Sequence, residues 1–387
     1  MVDIEFVDPG AAAAVCAASG VSKVMHYAQG VLESHAWVAC ERPPGSDGIE
    51  IGAPEQTEAG ALLLKRRIDE AHAAGLRVDA YSILGLAGVW AGSRHQVPRV
   101  IEPVGRVPRF AVDHPEFMSK ARDGRSWLDW DVGEPVLGYD VGYLALAHPE
   151  ARAYARRELV AFARDFGADG VQLEFLPVLA AGESVWPLGY DDPALAEYRR
   201  RFGVDPRSRP VDDPAWARLR AGYVTQFLRE LRGDLDTLGR PVEIAAATEG
   251  IWARPTEAYK LGLDWPAWVE EGLVDALYPR FFLNDPLYPL SDPSSETGCW
   301  LSDVARIERE MATVRGIVGS RFRVCATAIA SNAPENEPVP VLVERIVAAA
   351  RAMVTSGSDG FGIYVDARVG DDDAFWAGLR RIHEGRF

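Results

Sequence analysis

A short unit recurs along this chain and restricts the folds that it can adopt. Each copy has a helix-like stretch, then a glycine, then one to three mostly polar residues and a short apolar run. The glycines of the unit are Gly20, Gly75, Gly167, Gly239, Gly272, Gly319 and Gly357. Glycine just beyond a helix adopts the left-handed conformation without a steric penalty. The unit therefore predicts a helix followed by a strand, repeated through the chain.

Eight short apolar strands are predicted, and each is followed by a candidate helix. They are Ile4–Val7, Val24–Tyr27, Val78–Ile83, Gly170–Glu174, Glu243–Ala247, Ala276–Tyr278, Phe322–Ala326 and Gly360–Val365. Alternation of strands and helices is typical of a parallel sheet. Eight such units indicate an α/β fold, a closed (β/α)8 TIM barrel with long loops at its carboxyl-terminal face. An open doubly wound sheet is the alternative, but no G-x-G-x-x-G motif follows the first strand.

The helix predicted over residues 151–166 turns one apolar face to the core. That face consists of Tyr154, Leu159, Phe162, Ala163 and Phe166. The arginines of this helix are predicted to fall largely outside it, at Arg152, Arg156, Arg157 and Arg164.

The charge of the chain limits its partners. Its 387 residues carry a formal net charge of −16, and so acidic a chain repels phosphate backbones and anionic membranes. We therefore expect no nucleic acid and no membrane as partner, while homo-oligomer formation stays open. The first residues, MVDIEFVDPG, have neither a basic segment nor a long apolar run, which predicts a cytoplasmic protein.

Neither the cysteines nor the histidines are spaced for a metal site. The four cysteines, Cys16, Cys40, Cys299 and Cys325, form no C-x-x-C pair. The seven histidines show no H-E-x-x-H spacing. We expect buried or idle thiols in a reducing compartment, and neither a metal nor another cofactor.

The longest connections follow the predicted strands. They span about 28–59, 84–148, 175–215, 248–263, 279–300 and 327–340. In a barrel these segments emerge at the carboxyl-terminal face, where active sites are built. We expect one domain over residues 1–387, with insertions at about 84–148 and 175–215. The first insertion lacks low-complexity character, which predicts an ordered cover over the barrel mouth.

The stretch FGADGVQLEF places a carboxylate at the end of a buried strand. Glu174 follows the run Gly170–Leu173, so it is predicted to stand at the mouth of the barrel. A carboxylate gains no stability from burial, and we therefore expect Glu174 to take part in chemistry. The alternative is that it orders the loop after its strand. Asp169 precedes the strand and is predicted to be a turn residue at the far end.

Three phrases of the sequence resemble one family. They are HPEFMSKARDGRSW at 114–127, HPEARAYARRELVAFARDFGADGVQLEF at 148–175 and LDWPAWVEEGLVDALYP at 263–279. Together they resemble the family-10-like glycosyl hydrolases, which are similar to α-L-fucosidase-like barrels, over about residues 60–387. The resemblance implies a TIM barrel of carbohydrate metabolism whose fourth strand ends in an acid, usually aspartate. Asp169 and Gly170 match that pattern, and Glu174 stands where the aspartate is usual.

Glycoside hydrolysis needs two carboxylates that flank the scissile bond. Glu174 is the first candidate, and Glu249, two residues beyond the fifth strand, is the second. Because neighbouring strand ends lie close together in a barrel, both side chains are expected to face one bond. Asp366, after the eighth strand, competes for the second role and is otherwise expected to bind substrate. The alternative for each is an ion pair at the rim, with Arg254 for Glu249 and with Arg368 or Arg280 for Asp366.

Substrate-binding residues are expected in the same loops, because aromatic rings stack on the apolar faces of sugars. Tryptophans of these segments are Trp90, Trp127, Trp130, Trp186, Trp252 and Trp300. We expect the carbohydrate substrate to contact Trp90, His95, Trp252, Tyr278 and Arg280. Packing is the alternative for the aromatic residues, a surface ion pair for Arg280, and a solvated loop histidine for His95.

Two other classes of function remain open. One is a carbohydrate-binding barrel without catalysis. This class stays open because Glu174 stands where the family usually has an aspartate. The other is a barrel isomerase, lyase or aldolase, which needs a metal cluster or a lysine at a strand end. The lysines are Lys23, Lys65, Lys120 and Lys260, and none ends a predicted strand.

Overall fold

The chain forms a closed parallel barrel. The structure is a computed structural model. It describes residues 1–7, 12–27, 37–41, 50–54, 57–90, 104–126, 141–175, 188–249, 258–259, 262–282, 304–330, 337–364 and 372–387. Its strands there are β1 Asp3–Val7, β2 Val21–Tyr27, β3 Trp37–Glu41, β4 Glu50–Pro54, β5 Arg77–Ile83, β6 Leu86–Trp90, β7 Val104–Pro108, β8 Val141–Tyr143, β9 Gly170–Phe175, β10 Glu243–Glu249, β11 Ala276–Phe282, β12 Arg323–Ile329 and β13 Gly360–Tyr364. Eight of them form a closed barrel in the order β1-β13-β12-β11-β10-β9-β5-β2. These are the eight predicted strands, so the TIM-barrel prediction is confirmed.

Helices connect the barrel strands and cover the outside of the barrel. In the described residues they are α1 Ala13–Ala18, α2 Thr57–Ala73, α3 Arg109–Asp113, α4 Pro149–Ala161, α5 Asp192–Phe202, α6 Pro214–Asp236, α7 Trp265–Glu270, α8 Val304–Val318, α9 Val339–Thr355 and α10 Asp373–His383. Strand residues such as Ile4, Phe6 and Val171 pack with the apolar faces of the helices in one large core. Within the described ranges, none of these helices combines the length and the apolar character needed to cross a membrane.

The helix predicted over residues 151–166 is present, and its last turn is a π-helix. α4 gives way to the π-helical turn Phe162–Phe166, which ends at Gly167 with a φ of +80°. All five residues of the predicted apolar face are buried. Arg152, predicted outside that face, is buried as well. The reason is a bidentate ion pair, since the guanidinium of Arg152 donates to both carboxylate oxygens of Glu230 in α6 at 3.0 Å.

A second sheet, which the sequence did not predict, joins two of the long segments. Its antiparallel strands run in the order β4-β3-β7-β6-β8. Strands β3 and β4 come from the segment 28–59, and the other three come from the insertion 84–148. Met118 and Leu144 of this insertion share a hydrophobic cluster with Ala151 and Tyr154 of α4. The insertion is therefore ordered in its described parts and packs directly on a barrel helix.

One aspartate arrangement occurs at the start of three barrel strands, and it explains part of the repeated sequence unit. Each of these strands is directly preceded by an aspartate: Asp169 before β9, Asp275 before β11 and Asp359 before β13. The backbone N–H of each aspartate donates to a carbonyl of the neighbouring strand. Its carboxylate accepts the N–H of the residue that carries this carbonyl. The partners are Val78, Ile244 and Val324, at 2.7–2.8 Å. Asp169 thus lies at the amino-terminal end of its strand, as predicted.

We expect Asp359→Ala to lower the free energy of unfolding by about 1–3 kcal/mol. The buried N–H of Val324 loses its acceptor, and Arg315 loses the carboxylate that lies 2.6 Å away. Denaturant unfolding measures the change. Asp69→Ala is the control, because its carboxylate forms an exposed ion pair with Lys65 and should contribute below about 0.5 kcal/mol. Equal losses in the two variants would contradict the proposed role of Asp359.

Candidate active site

The carboxyl-terminal ends of the barrel strands hold a buried ion pair between Glu174 and Arg280. Glu174 of β9 is 4% exposed and Arg280 of β11 is 6% exposed. Nη1 of Arg280 donates to Oε1 of Glu174. Strand β10 runs between them, and its Ala247 is the register partner of Glu174. Because alanine fills little of the barrel interior, the two long side chains meet across β10.

This ion pair explains how a buried strand ends in an acid. An unpaired carboxylate at this depth would lose its hydration without compensation. The guanidinium of Arg280 supplies the opposite charge and directional N–H donors. The pair therefore holds the side chain of Glu174 in one orientation, and a carboxylate so held can attack an electrophilic carbon or accept a proton.

Two tyrosines that were not among the predicted site residues share this end of the barrel. Tyr27 ends β2 and Tyr364 ends β13, and their hydroxyl oxygens are 3.3 Å apart. The ring of Tyr27 meets that of Tyr81 edge to face, with 4.9 Å between centroids. Loss of solvation, and then the nearby Tyr364 and Glu174, raise the pKa of Tyr27 well above its usual value. The available signal was their position, since Tyr27 is the last residue of its predicted strand and Tyr364 is the last but one of its own.

The structure describes only part of the predicted site. Strand β10 runs two residues further than predicted, so the backbone of Glu249 is its last residue and the register partner of Arg280. The backbone of Trp90 ends β6 of the second sheet. The predicted residues outside the described ranges are His95, Trp127, Trp130, Trp186, Trp252, Trp300 and Asp366.

Tyr278 points away from the mouth at which it was predicted to contact substrate. Its side chain is fully buried, and its hydroxyl donates to Glu5. The same oxygen accepts from Nζ of Lys23 at 3.2 Å and from Nη1 of Arg323 at 3.1 Å. Since Arg323 is the first residue of β12, these contacts lie toward the amino-terminal end of the barrel. They are the contacts of a core residue.

Tyr278 belongs to a cluster of ion pairs that fills the amino-terminal end of the barrel. Three basic and three acidic side chains balance each other there: Glu5, Lys23, Arg77, Asp79, Glu243 and Arg323. Nζ of Lys23 lies 2.8 Å from Asp79 and 2.6 Å from Glu243. Burial by itself lowers the pKa of Lys23, but these two carboxylates outweigh burial and raise it. The cluster therefore keeps its charges by mutual pairing.

Within the described residues, no three His, Cys, Asp or Glu side chains are grouped so that they could hold a metal ion. Cys16 and Cys325 are buried free thiols. Burial raises the pKa of Cys16 to about 11 and that of Cys325 to about 12. Such thiols stay protonated and are poor nucleophiles at neutral pH. The side chain of Cys40 and all of Cys299 lie outside the described residues.

Solved structures of glycosidases share this fold. The β-galactosidase of the psychrophilic Marinomonas ef1 matches with a TM-score of 0.59 and 12% identity, over 99% of this chain and 59% of its own. The β-galactosidase of Rahnella sp. R3 matches with 0.56 and 10%, over 97% of this chain and 53% of its own. The GH36 α-galactosidase AgaB of Geobacillus stearothermophilus matches with 0.50 and 8%, over 99% and 41%. This chain thus spans about half the length of these proteins, and the likeness shows the fold alone.

No curated protein matches this chain. A family model, described as glycosyl hydrolase-like 10, matches residues 50–290, which is more than half of the chain. The matched residues include Glu174, Glu249 and Arg280. The match also confirms the resemblance that the three sequence phrases indicate. The chain belongs to the glycosyl hydrolase-like 10 family.

Proposed function

We propose that this protein is a glycoside hydrolase that cleaves the O-glycosyl bond of an oligosaccharide or glycoside with two carboxylates, Glu174 and Glu249. The observation that carries the proposal is the buried ion pair of Glu174 with Arg280 at the carboxyl-terminal ends of the barrel strands. Active sites of (β/α)8 barrels lie at that face. Membership of the glycosyl hydrolase-like 10 family supports the same class of reaction.

Glu174 is the better of the two carboxylates for the negatively charged role. With its charge stabilised by Arg280, it attacks the anomeric carbon or takes a proton from the water that attacks. Glu249 gives a proton to the leaving oxygen as the glycosidic bond breaks. It ends the neighbouring strand in register with Arg280, so a sugar seated over Arg280 lies within reach of both residues.

Further contacts to the sugar are proposed for segments at the same face. Trp90, His95 and Trp252 stack on the sugar or bind its hydroxyl groups in this proposal. Asp366 binds a hydroxyl group or takes the place of Glu249 as the second carboxylate. Tyr278 is not part of the proposed site, because its hydroxyl is engaged by the ion-pair cluster at the other end.

The described lysines give little support to a barrel isomerase, lyase or aldolase. Lys23 lies in the barrel interior, but its ammonium group donates to Asp79 at 2.8 Å and to Glu243 at 2.6 Å. A lysine that forms a Schiff base has to lose its proton first, and these carboxylates oppose that loss. A carbohydrate-binding barrel without catalysis would bind sugars and leave the glycosidic bond intact, which the following experiment detects.

The experiment measures release of nitrophenol from a panel of para-nitrophenyl glycosides, with two substitutions on one strand. Glu249→Gln is expected to lower kcat/KM at least about tenfold, because the leaving oxygen loses its proton donor. Glu243→Gln is the matched control at the first position of β10. Its side chain pairs with Lys23 and Arg323, so it should reduce thermal stability while the folded protein keeps the parental kcat/KM.

The outcomes separate the possibilities. Parental activity in Glu249→Gln would show that Glu249 is not the proton donor, and Asp366→Asn is then the next variant. Sugar binding without turnover of any glycoside in the panel would favour the non-catalytic barrel.

A further inference from the structure

The hydroxyl groups of Tyr27 and Tyr364 form a pair at the mouth, on the other side of β5 from Glu174. Going round the barrel, β13 carries Tyr364, β1 follows, β2 carries Tyr27, β5 follows and β9 carries Glu174. The two hydroxyl oxygens are 3.3 Å apart and therefore bridge the end of β1. Tyr27 keeps 37% of its surface exposed, so a molecule at the mouth can reach it.

We propose that Tyr27, oriented by Tyr364, binds a hydroxyl group of the sugar beside the bond that is cleaved. The inference rests on the proposed function, because it uses Glu174 as the residue that marks the reacting carbon. In these terms Tyr27 is a substrate-binding residue, and Tyr364 is a positioning residue that acts through it.

The hydrogen-bonding capacity of Tyr27 is only partly used. A phenol has one O–H proton and oxygen lone pairs. Among the described residues, the hydroxyl of Tyr27 has one hydrogen-bond partner, the hydroxyl of Tyr364. Whichever of the two donates, Tyr27 still has a lone pair or its own proton for another molecule. A sugar hydroxyl, which both donates and accepts, suits either arrangement.

Tyr27 and Glu174 end two barrel strands, β2 and β9, that have β5 between them. The charge of Glu174 is near enough to raise the pKa of Tyr27, yet no hydrogen bond joins the two in the described structure. A sugar ring lying between them would meet the carboxylate at its reacting carbon and the phenol at an adjacent hydroxyl. Hydrogen bonds to that hydroxyl strengthen in the transition state of glycoside hydrolysis. Since the raised pKa keeps the phenol protonated, its donor persists at working pH.

The packing of Tyr27 fixes where its hydroxyl points. Its ring stands edge to face on Tyr81, which is 1% exposed and belongs to the barrel interior. Two contacts, one to the ring and one to the hydroxyl, leave little freedom to the side chain. A preorganised donor loses less entropy on binding than a mobile one. The substrate class that fits is a sugar with a free hydroxyl next to its anomeric carbon.

The experiment combines enzyme variants with deoxy substrates. Tyr27→Phe and Tyr364→Phe each remove one hydroxyl and keep the ring. Their kcat/KM is measured on the best para-nitrophenyl glycoside of the panel and on its analogue that lacks the hydroxyl beside the anomeric carbon. Tyr198→Phe is the matched control, because it removes a hydroxyl that bonds Asp213 and neither residue belongs to the proposed site. Thermal melting is recorded for every variant.

We expect Tyr27→Phe to lower kcat/KM roughly tenfold on the hydroxylated glycoside and less than about twofold on the deoxy analogue. Tyr364→Phe should show the same pattern with a smaller loss, and Tyr198→Phe should leave both values unchanged. An equal loss on the two substrates, or no loss on either, would overturn the inference and leave the proposed hydrolysis intact.

Binding separates this inference from the proposed function when no glycoside is cleaved. Calorimetric titration of glucose, galactose and mannose, and of their analogues deoxygenated beside the anomeric carbon, is then made on parent and Tyr27→Phe protein. Hydroxyl-dependent binding that Tyr27→Phe weakens would support the inference and overturn the hydrolase. Sugar binding that Tyr27→Phe does not weaken, or no sugar binding at all, would overturn both the inference and the proposed hydrolase.

Discussion

Glu174→Gln is expected to lower the turnover of a glycoside at least about a hundredfold, the usual scale for losing a catalytic acid or base. Glutamine keeps the shape of the side chain but cannot attack the anomeric carbon or take a proton. It also removes the negative charge that Glu174 holds against the buried guanidinium of Arg280. We therefore expect a lower melting temperature as well, from a loss of about 1–3 kcal/mol.

Stability and catalysis are separated by measuring kcat below the melting temperature of each variant. The double variant Glu174→Gln/Arg280→Met removes both charges of the pair. It should recover stability relative to Glu174→Gln, since replacing a whole buried pair costs less than breaking it. It should recover no turnover. Most of the parental turnover in folded Glu174→Gln would show that the acid of β9 is structural.

Lys23→Met is expected to destabilise the protein by about 3–5 kcal/mol, the cost of removing one partner from buried ion pairs. The carboxylates of Asp79 and Glu5 are almost fully buried, and Lys23 lies 2.8 Å and 3.6 Å from them. Methionine fills a similar volume, so the loss reports charge rather than a cavity. The melting temperature should fall by roughly 4–6 °C, because a chain of 387 residues has a large entropy of unfolding.

The matched control is Lys65→Met on the surface of α2. Lys65 pairs with Asp69, and both side chains are substantially exposed, at 44% and 57%. Solvent screens such a pair, so Lys65→Met should change the free energy of unfolding by less than about 0.5 kcal/mol. Equal melting temperatures for the two variants would contradict a structural role of the amino-terminal cluster. Folded Lys23→Met should keep parental kcat, because Glu174 and Arg280 are at the other end of the barrel.

The barrel itself was readable from local signals. Gly167 adopts a φ of +80° at the end of its helix, and the strand that starts three residues later enters the sheet as predicted. The predicted strand starts and ends differ from the observed ones by a few residues, because hydrogen bonds to neighbouring strands extend a strand beyond its apolar run. Glu249 became the last residue of β10 for that reason.

The pairing of strands that are distant in the chain could not be predicted from the sequence. The strand β3 pairs with β7, in which Val38 is the register partner of Val107. Sixty-odd residues separate them in the chain, and nothing in either short stretch specifies the other. The same holds for the direction of Tyr278, which lies two residues before Arg280 on the same strand. The contacts of its hydroxyl with Glu5 and Lys23 decide that it lies in the amino-terminal cluster.

By itself the sequence determined the class of fold and the end of the barrel at which Glu174 stands, since both follow from helix-to-strand turns and apolar runs of local extent. Only the tertiary structure decided which side chains share that end. Arg280 reaches Glu174 across an intervening strand, and Tyr27 reaches Tyr364 across β1. Barrel closure brings Tyr27 and Tyr364 together because it makes the first and last strands neighbours, a relation that no local pattern encodes.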